Sequence, residues 1–394
     1  MKTRSLHLSL KARQTIGYFA ALTAIGFYIA SLGPTLPDLA RHTSSALAEI
    51  SVLFSARSFG YLVGSMGGGK LYDKLPGHRL LALLMLMTGA MMALAPVISL
   101  LWLLAIVLFI LGIGEGGIDV GSNILLIWVH GRNVSPYMNG LHFFFGLGAF
   151  LSPIIIAQTV LFSGEIKVGY WLLALYALPV AMWFLRTPAP VPPDQTKDKN
   201  IQDINVFLVA MISLFFFLYV GAEASFGGWI FTYTIEMDII AQAGAAYLIA
   251  AFWGALTLGR LIGIPIASRF RPRTIILSDL IGCLVSVTIL ILWPESMVLV
   301  WIGTIGMGLF LASLFPTMLV LAERRMRLTG GITRWFFVGT GLGGMFLPWL
   351  IGQLFVPVGP QVMLWLILID LLFVLVIAIG IVHQPRRDRI TNQN

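Results

Sequence analysis

Long runs of apolar residues alternate with short polar segments along nearly the whole chain. A membrane core about 30 Å thick requires roughly 20 apolar residues per helix, and each run is of about that length. The pattern therefore predicts twelve membrane-spanning helices, at about 16–37, 46–69, 79–98, 100–128, 137–162, 168–186, 204–231, 243–267, 274–293, 297–321, 331–355 and 361–382. The first run is too long for the apolar core of a signal peptide, so we expect it to be retained.

One long polar interruption divides the predicted spans into two groups of six. It predicts a six-helix bundle at 1–186, a cytoplasmic linker at 187–203 and a second six-helix bundle at 204–394. The halves also match at a nearly constant offset of 194 or 195 positions, which pairs Gly112 with Gly306, Gly114 with Gly308, Gly146 with Gly341, Pro153 with Pro348, and Gln158 with Gln353. Two halves of six spans form a parallel repeat around a central cavity, which favours a transporter over a pore.

The basic residues fall on one side of this topology. With the N-terminus in the cytoplasm, only Arg41 and Lys167 among the 25 lysines and arginines lie in outer loops, and only Arg57 and Arg260 lie deep within spans. Cytoplasmic loops of membrane proteins carry such an excess. The net charge of +8 therefore reflects topology, and we expect no nucleic-acid partner. Only 11% of the residues are charged, against about 25% in soluble domains, which excludes an ordinary soluble enzyme.

The loop after the second span carries a recognisable motif, which reads Gly69-Lys70-Leu71-Tyr72-Asp73-Lys74-Leu75-Pro76-Gly77-His78-Arg79. It resembles the loop signature of the major facilitator superfamily with one extra residue at Pro76, and a weaker copy around Arg269 stands in the second half. The resemblance covers essentially the whole chain and implies the fold of that superfamily. It also implies a gate formed by Gly69, Asp73, Lys74, Arg79 and Arg269. The alternative is that these are ordinary loop charges.

Several shorter phrases narrow the resemblance. They read Gly33-Pro34-Thr35-Leu36-Pro37-Asp38-Leu39, Gly117-Ile118-Asp119, Leu141-His142-Phe143-Phe144 and Phe315-Pro316. Together they resemble the sodium-dependent glucose transporter group and, more distantly, the fucose:proton symporters. The resemblance implies coupling at Asp119, with Asn123 and His142 in solute binding. Gly33 stands where the fucose symporters have an aspartate, so their two-acid scheme cannot be transferred whole, and the coupling ion stays open.

Ionisable side chains within the spans are the candidates for transport chemistry, because each costs about 2.5–3.5 kcal/mol to insert. Glu115, Asp119 and Asn123 follow one another at intervals of four residues, which places them on one face of the fourth span. Two neighbouring acids repel unless one is protonated or binds a cation. We therefore predict cation coupling at Asp119 and Glu115. The alternative is that Arg57 neutralises one of them. Asp279 and Asp370 are expected to be structural.

The seventh span places an acid among glycines, in the stretch from Tyr219 to Tyr233. Such a helix can bend where it lines a cavity. Glu223, Ser225 and Trp229 there supply a carboxylate, a hydroxyl and an aromatic face, the groups that bind sugars. With Asn123, His142 and Arg57 they complete the predicted solute site. In the alternatives, Glu223 pairs with Arg260 and Trp229 is an interfacial tryptophan.

The sequence thus predicts an all-α integral membrane protein that couples sodium or proton entry to uptake of a monosaccharide or similar polar solute by alternating access. A proton-coupled exporter of drugs or metabolites is the alternative, but the fourth span lacks the arginine typical of such exporters. No arrangement of nucleophile and base or of metal ligands indicates an enzyme, and no cofactor beyond the coupling ion is expected. We expect a monomer in the bacterial inner membrane, with both termini cytoplasmic.

Overall fold

The computed structural model describes residues 9–191, 205–326 and 330–384, and every regular element in these ranges is helical. Most of the predicted linker at 187–203 lies outside the described residues. The helices are α1 (Leu10–His42), α2 (Leu47–Ile50), α3 (Val52–Tyr72), α4 (Gly77–Leu94), α5 (Leu101–His130), α6 (Ser135–Ser163), α7 (Ile166–Leu175), α8 (Ala177–Arg186), α9 (Val206–Glu236), α10 (Gln242–Arg269), α11 (Pro272–Leu292), α12 (Met297–Leu311), α13 (Leu314–Glu323), α14 (Gly330–Val358) and α15 (Val362–His383).

The predicted all-helical membrane fold is confirmed. Eleven helical segments of the described chain are long and apolar enough to cross a membrane, counting α7 with α8, and α12 with α13, as single spans broken at Tyr176 and at Ala312–Ser313. The remaining predicted span is α3. It has 21 residues, but its serines, its glycines and Arg57 lower its mean hydropathy below that of the other eleven. A helix of this composition is suited to facing a polar interior.

Glycines bring α3 and α5 into close contact. A Cβ atom added to Gly60 or Gly64 would lie 2.0 Å from a carbonyl oxygen of α5, and one added to Gly112 would lie 2.1 Å from the carbonyl oxygen of Arg57. Small residues at such positions allow membrane helices to pack backbone against backbone. This packing fixes the side chains of α3 opposite those of α5, and the ionisable residues of the two helices lie along it.

Three helix pairs make most of the contact between the two halves of the chain. Helix α1 contacts α9, where a Cβ added to Gly33 would lie 2.6 Å from the carbonyl oxygen of Gly227. Helix α3 contacts α14, and the hydroxyl of Ser55 donates to the carbonyl oxygen of Met345 at 3.0 Å. Helix α6 contacts α10, where the Gln158 amide donates to the hydroxyl of Tyr247. These contacts lie in the middle of the bundle and toward the end that carries Arg41 and Lys167, here called the distal face.

The opposite end of the bundle, here called the basic face, is open. Near the end of α3, a Cβ added to Gly67 or Gly69 would meet no described atom within 4 Å. The last residues of α10, 264–269, are all exposed. Because the halves touch at the distal face and separate toward the basic face, the space between them opens at the basic face.

We expect a Gly33→Val substitution to loosen the distal contact, because no side chain fits between α1 and α9. Ser51 is fully buried at the same face, and a Cβ added to Gly352 would meet its side chain, so a Ser51→Cys reporter should be shielded. In purified protein, the added valine should speed maleimide labelling of that cysteine about tenfold, which corresponds to a shift of about 1.4 kcal/mol. Gly67→Val is the matched control, and equal labelling rates in the two variants would contradict this steric seal.

Candidate functional site

A buried ion pair joins α3 to α5. Arg57 donates from Nε to Glu115 Oε2 at 3.0 Å and from Nη2 to Glu115 Oε1 at 2.5 Å, and its Nη1 donates to the carbonyl oxygen of Ile29 at 3.3 Å. The side chain of Glu115 is only 1% exposed. Two parallel charge-assisted hydrogen bonds of this kind fix both groups. In this conformation Glu115 therefore forms a static ion pair, the alternative considered above. Arg57 is engaged in the same pair.

Asp119, one turn further along α5, has a different environment. Its carboxylate accepts hydrogen bonds from the hydroxyl of Tyr61 and from Asn123 Nδ2, the latter at 2.9 Å. Asn123 Nδ2 also lies 2.9 Å from the main-chain oxygen of Asp119, which fixes the amide. None of the ion pairs found in the described ranges includes Asp119, and its side chain is half-buried. Asp119 is thus the acid of this pair that has hydrogen-bond donors but no cationic partner.

Sequence reasoning missed Tyr61 as the partner of Asp119. The signal was present, because Tyr61 follows Arg57 by four residues just as Asp119 follows Glu115 by four. Once Arg57 is opposite Glu115, the next turn of α3 places Tyr61 beside Asp119. An interval of four residues within one helix also places Tyr219 beside Glu223 on α9. The Tyr219 hydroxyl donates to the Glu223 carboxylate.

The alternative pairing of Glu223 with Arg260 is not formed. No ion pair within 4.0 Å links the two in the part of the chain that the structure describes. Instead the Arg260 guanidinium lies over the ring of Phe145, 5.9 Å from its centroid, and so faces α6. His142, one turn before Gly146 on α6, is exposed and lies within electrostatic range of Arg260. His142 and Arg260 therefore lie together where α6 approaches α10.

Ser225 and Trp229 lie in the packed region instead of an open cavity. Trp229 is fully buried, its indole N–H donates to the carbonyl oxygen of Pro348 at 2.9 Å, and its ring stacks on Phe355 with centroids 4.9 Å apart. The interfacial alternative for Trp229 is wrong, since an interfacial ring would be exposed. Ser225 is also fully buried, and its hydroxyl has no hydrogen-bond partner among the described residues. Neither side chain can reach a solute in this conformation.

The predicted gate residues all lie at the open basic face. Asp73, Lys74, Arg79 and Arg269 are exposed, and none of them takes part in an ion pair within the described ranges. Gly69 has free space beside it. A gate that closes by contact between the halves would be disengaged in this state, so its role stays a prediction.

The other two acids within spans lie in the second half. Asp279 on α11 accepts a hydrogen bond from the hydroxyl of Ser313, just before α13, which ties these helices together as expected of a structural residue. Asp370 on α15 is buried, and its Oδ2 has no hydrogen-bond partner in the described chain. Across the described residues, no group of three or more histidine, cysteine, aspartate or glutamate side chains could hold a metal ion.

Comparisons with known proteins identify relatives over most of the chain. The family model of the Major Facilitator Superfamily matches residues 16–348. Sodium-dependent glucose transporter 1 of Xenopus laevis is 33% identical over 356 residues, covering 83% of this chain and 72% of that protein. Sodium-dependent glucose transporter 1A of Mus musculus is 29% identical over 374 residues, covering 85% and 88%. Major facilitator superfamily domain-containing protein 4A of Mus musculus is 27% identical over 438 residues, covering 86% of each.

Solved structures agree at the level of the fold. The crystal structure of the nucleoside transporter NupG superposes with a TM-score of 0.71 and covers 95% of this chain and 98% of that one. A variant of the same transporter gives a TM-score of 0.76. Sequence identity to both is 14%, so this likeness concerns the arrangement of the helices and carries nothing about the solute.

Proposed function

Because the chain belongs to the Major Facilitator Superfamily, a family of membrane transporters, we propose that it couples the entry of sodium or a proton to uptake of a monosaccharide or similar polar solute. The names of its relatives support a sugar and a coupling cation. Solute and cation bind between the halves, and the empty and the fully loaded carrier interconvert between states open to either side of the membrane.

The observation that carries this proposal is the difference between the two acids on α5. Glu115 is neutralised by Arg57, whereas Asp119 is held by Tyr61 and Asn123 without a cation. A half-buried carboxylate within a membrane span is costly unless it is protonated or binds a cation during the cycle. Asp119 is therefore the site that we assign to the coupling ion, and Glu115 supports it by fixing α3 against α5.

The solute site extends from Asp119 across the space between the halves. Asn123 and His142 supply it from the first half, and Glu223 supplies it from the second. Arg57 contributes indirectly through its ion pair. Ser225 and Trp229 would contribute only in a state open at the distal face, because they are buried when that face is closed.

We assign the basic face to the cytoplasm, since basic residues concentrate on that side of membrane proteins. The structure would then be the inward-open state, with both termini cytoplasmic. In the bacterial inner membrane, the bundles at 1–186 and 204–394, joined by the linker at 187–203, would rock against each other as a monomer. Closure of the basic face would engage Gly69, Asp73, Lys74, Arg79 and Arg269.

The proposed function is tested by uptake into proteoliposomes. Purified protein is reconstituted, and a panel of labelled monosaccharides is offered under an inward sodium gradient and, separately, an inward proton gradient. We expect accumulation of at least one sugar under one of the two gradients and none in protein-free liposomes. Absence of gradient-driven uptake of every sugar in the panel would contradict the proposal.

We expect a Glu223→Gln substitution to weaken solute binding by about tenfold, because a charged acceptor for sugar hydroxyls becomes a neutral amide. The amide can still accept the hydrogen bond of Tyr219, so α9 should keep its local structure. Apparent solute affinity is measured by competition in the uptake assay. Glu236→Gln at the end of α9 removes one carboxylate from the same helix and serves as the control. An affinity equal to that of the parent in Glu223→Gln would indicate a purely structural role.

A further inference from the structure

Arg260 is a cation within the membrane span that donates no hydrogen bond to any residue in the described ranges. It lies nine residues before the end of α10, about 14 Å from the basic face at 1.5 Å per residue. In the described chain it lies over the ring of Phe145 and within electrostatic range of His142 and Tyr219, but it donates no hydrogen bond. A guanidinium has five N–H donors and stays charged at all relevant pH values. An arginine at this depth without a bound acceptor is costly, which indicates that an acceptor arrives during the transport cycle.

The neighbouring acids already have other partners. Glu115 is bound to Arg57, and Asp119 is held by Tyr61 and Asn123. Glu223 accepts from Tyr219 and lies beyond ion-pair distance of Arg260. On the opposite helix, α6 presents His142 and Phe145, so neither an acid nor a carbonyl oxygen takes up the guanidinium donors there. None of these groups therefore takes up the guanidinium donors of Arg260, whose side chain is half-buried.

Resting on the proposed function, we propose that Arg260 binds a carboxylate on the solute, so that the transported compound is a sugar acid with a single negative charge. A carboxylate accepts two parallel hydrogen bonds from a guanidinium, and this pairing is both strong and specific in geometry. Phe145 holds the guanidinium plane, and its ring offers an apolar surface beside the bound solute. His142 adds a polar contact from the first half, so that the solute is held by both halves.

The charge balance favours a carboxylate over a phosphate ester. Of the two arginines deep within the described spans, Arg57 is neutralised by Glu115, which leaves Arg260 as the cation for the solute. One guanidinium matches a monoanion, whereas a phosphate ester carries a charge of nearly two at neutral pH. If Asp119 carries one monovalent cation, a loaded carrier with one cation and one monoanion moves no net charge. Uptake of the sugar acid should then be insensitive to membrane potential.

The test compares D-glucose with D-glucuronate, which differ only in the group at C6, hydroxymethyl in one and carboxylate in the other. Each is offered labelled to proteoliposomes under sodium and proton gradients in turn, and each competes against the other. For the parent protein we expect glucuronate to bind about tenfold more tightly than glucose or better. Arg260→Gln should remove that preference, and Arg260→Lys should retain part of it because the charge remains without the forked geometry.

Arg273→Gln removes an exposed arginine at the start of α11 and is the matched control, with an expected preference equal to that of the parent. Uptake of glucose with no binding of glucuronate would overturn the inference and leave the proposed function intact. An equal loss of both sugars in Arg260→Gln would also overturn it, since the arginine would then not act on the carboxylate. If no sugar in the wider panel is taken up under either gradient, the proposed function itself fails.

Discussion

An Asp119→Asn variant is expected to lose gradient-driven accumulation of solute completely while it still exchanges solute across the membrane. Asparagine has nearly the shape of aspartate, and its amide oxygen can accept the hydrogen bond of Tyr61. It can neither take up a proton nor neutralise a bound cation. The variant therefore keeps the structure around α5 but has no means to couple ion movement to solute movement.

The measurement uses two assays on the same proteoliposomes. Accumulation under an imposed gradient should fall to the level of protein-free liposomes, and counterflow exchange without a gradient should stay within about threefold of the parent rate. Asp279→Asn is the matched control, because it changes a second acid within a span that lies on α11, next to Ser313. Parent-like accumulation in Asp119→Asn would remove the coupling role from this residue.

The second large effect is expected from Arg57→Gln, which leaves Glu115 buried without its cation. Breaking one member of a buried pair costs about 3–5 kcal/mol, since the remaining charge is uncompensated. The side chain of Glu115 is only 1% exposed, so water cannot replace the guanidinium. We expect the apparent melting temperature of the purified protein in detergent to drop and the yield of folded protein to fall.

A double variant separates loss of the pair from loss of packing. Arg57→Gln with Glu115→Gln replaces both charged groups by neutral amides, so the stranded carboxylate is absent. The double variant should regain most of the stability that Arg57→Gln loses. The melting temperatures of the parent, the two single variants and the double variant together give the coupling energy between the two positions. A double variant no more stable than Arg57→Gln would show that Arg57 acts through its packing and not through Glu115.

Much of the fold could be predicted from sequence because the bilayer imposes a length and an apolar composition on every span. The exceptions have physical reasons. Helix α3 does not reach the hydropathy of the eleven other spans, because it contains Arg57 and several serines and glycines. The breaks at Tyr176 and at Ala312–Ser313 fall within apolar runs, and a hydropathy pattern does not change where a helix is interrupted inside the membrane.

The candidate site was predictable where spacing along one helix decides it. The stripe of Glu115, Asp119 and Asn123 follows from intervals of four residues. Which of the acids meets Arg57 depends on the register of α3 against α5, and that register is set by glycine contacts. The burial of Trp229 depends on packing against α14, and the free state of Arg260 depends on its distance from Glu223. Sequence periodicity specifies none of these contacts, because each depends on how separate helices pack together.

The most direct test of the account measures the cation and not the solute. Proteoliposomes without any imposed gradient receive a solute that the protein transports, and the movement of protons and of labelled sodium into the vesicles is recorded. We predict that solute entry draws one of these two cations inward in the parent protein and neither of them in Asp119→Asn. Solute entry without any cation movement in the parent, or equal cation movement in the variant, would contradict the claim that Asp119 couples a cation to the solute.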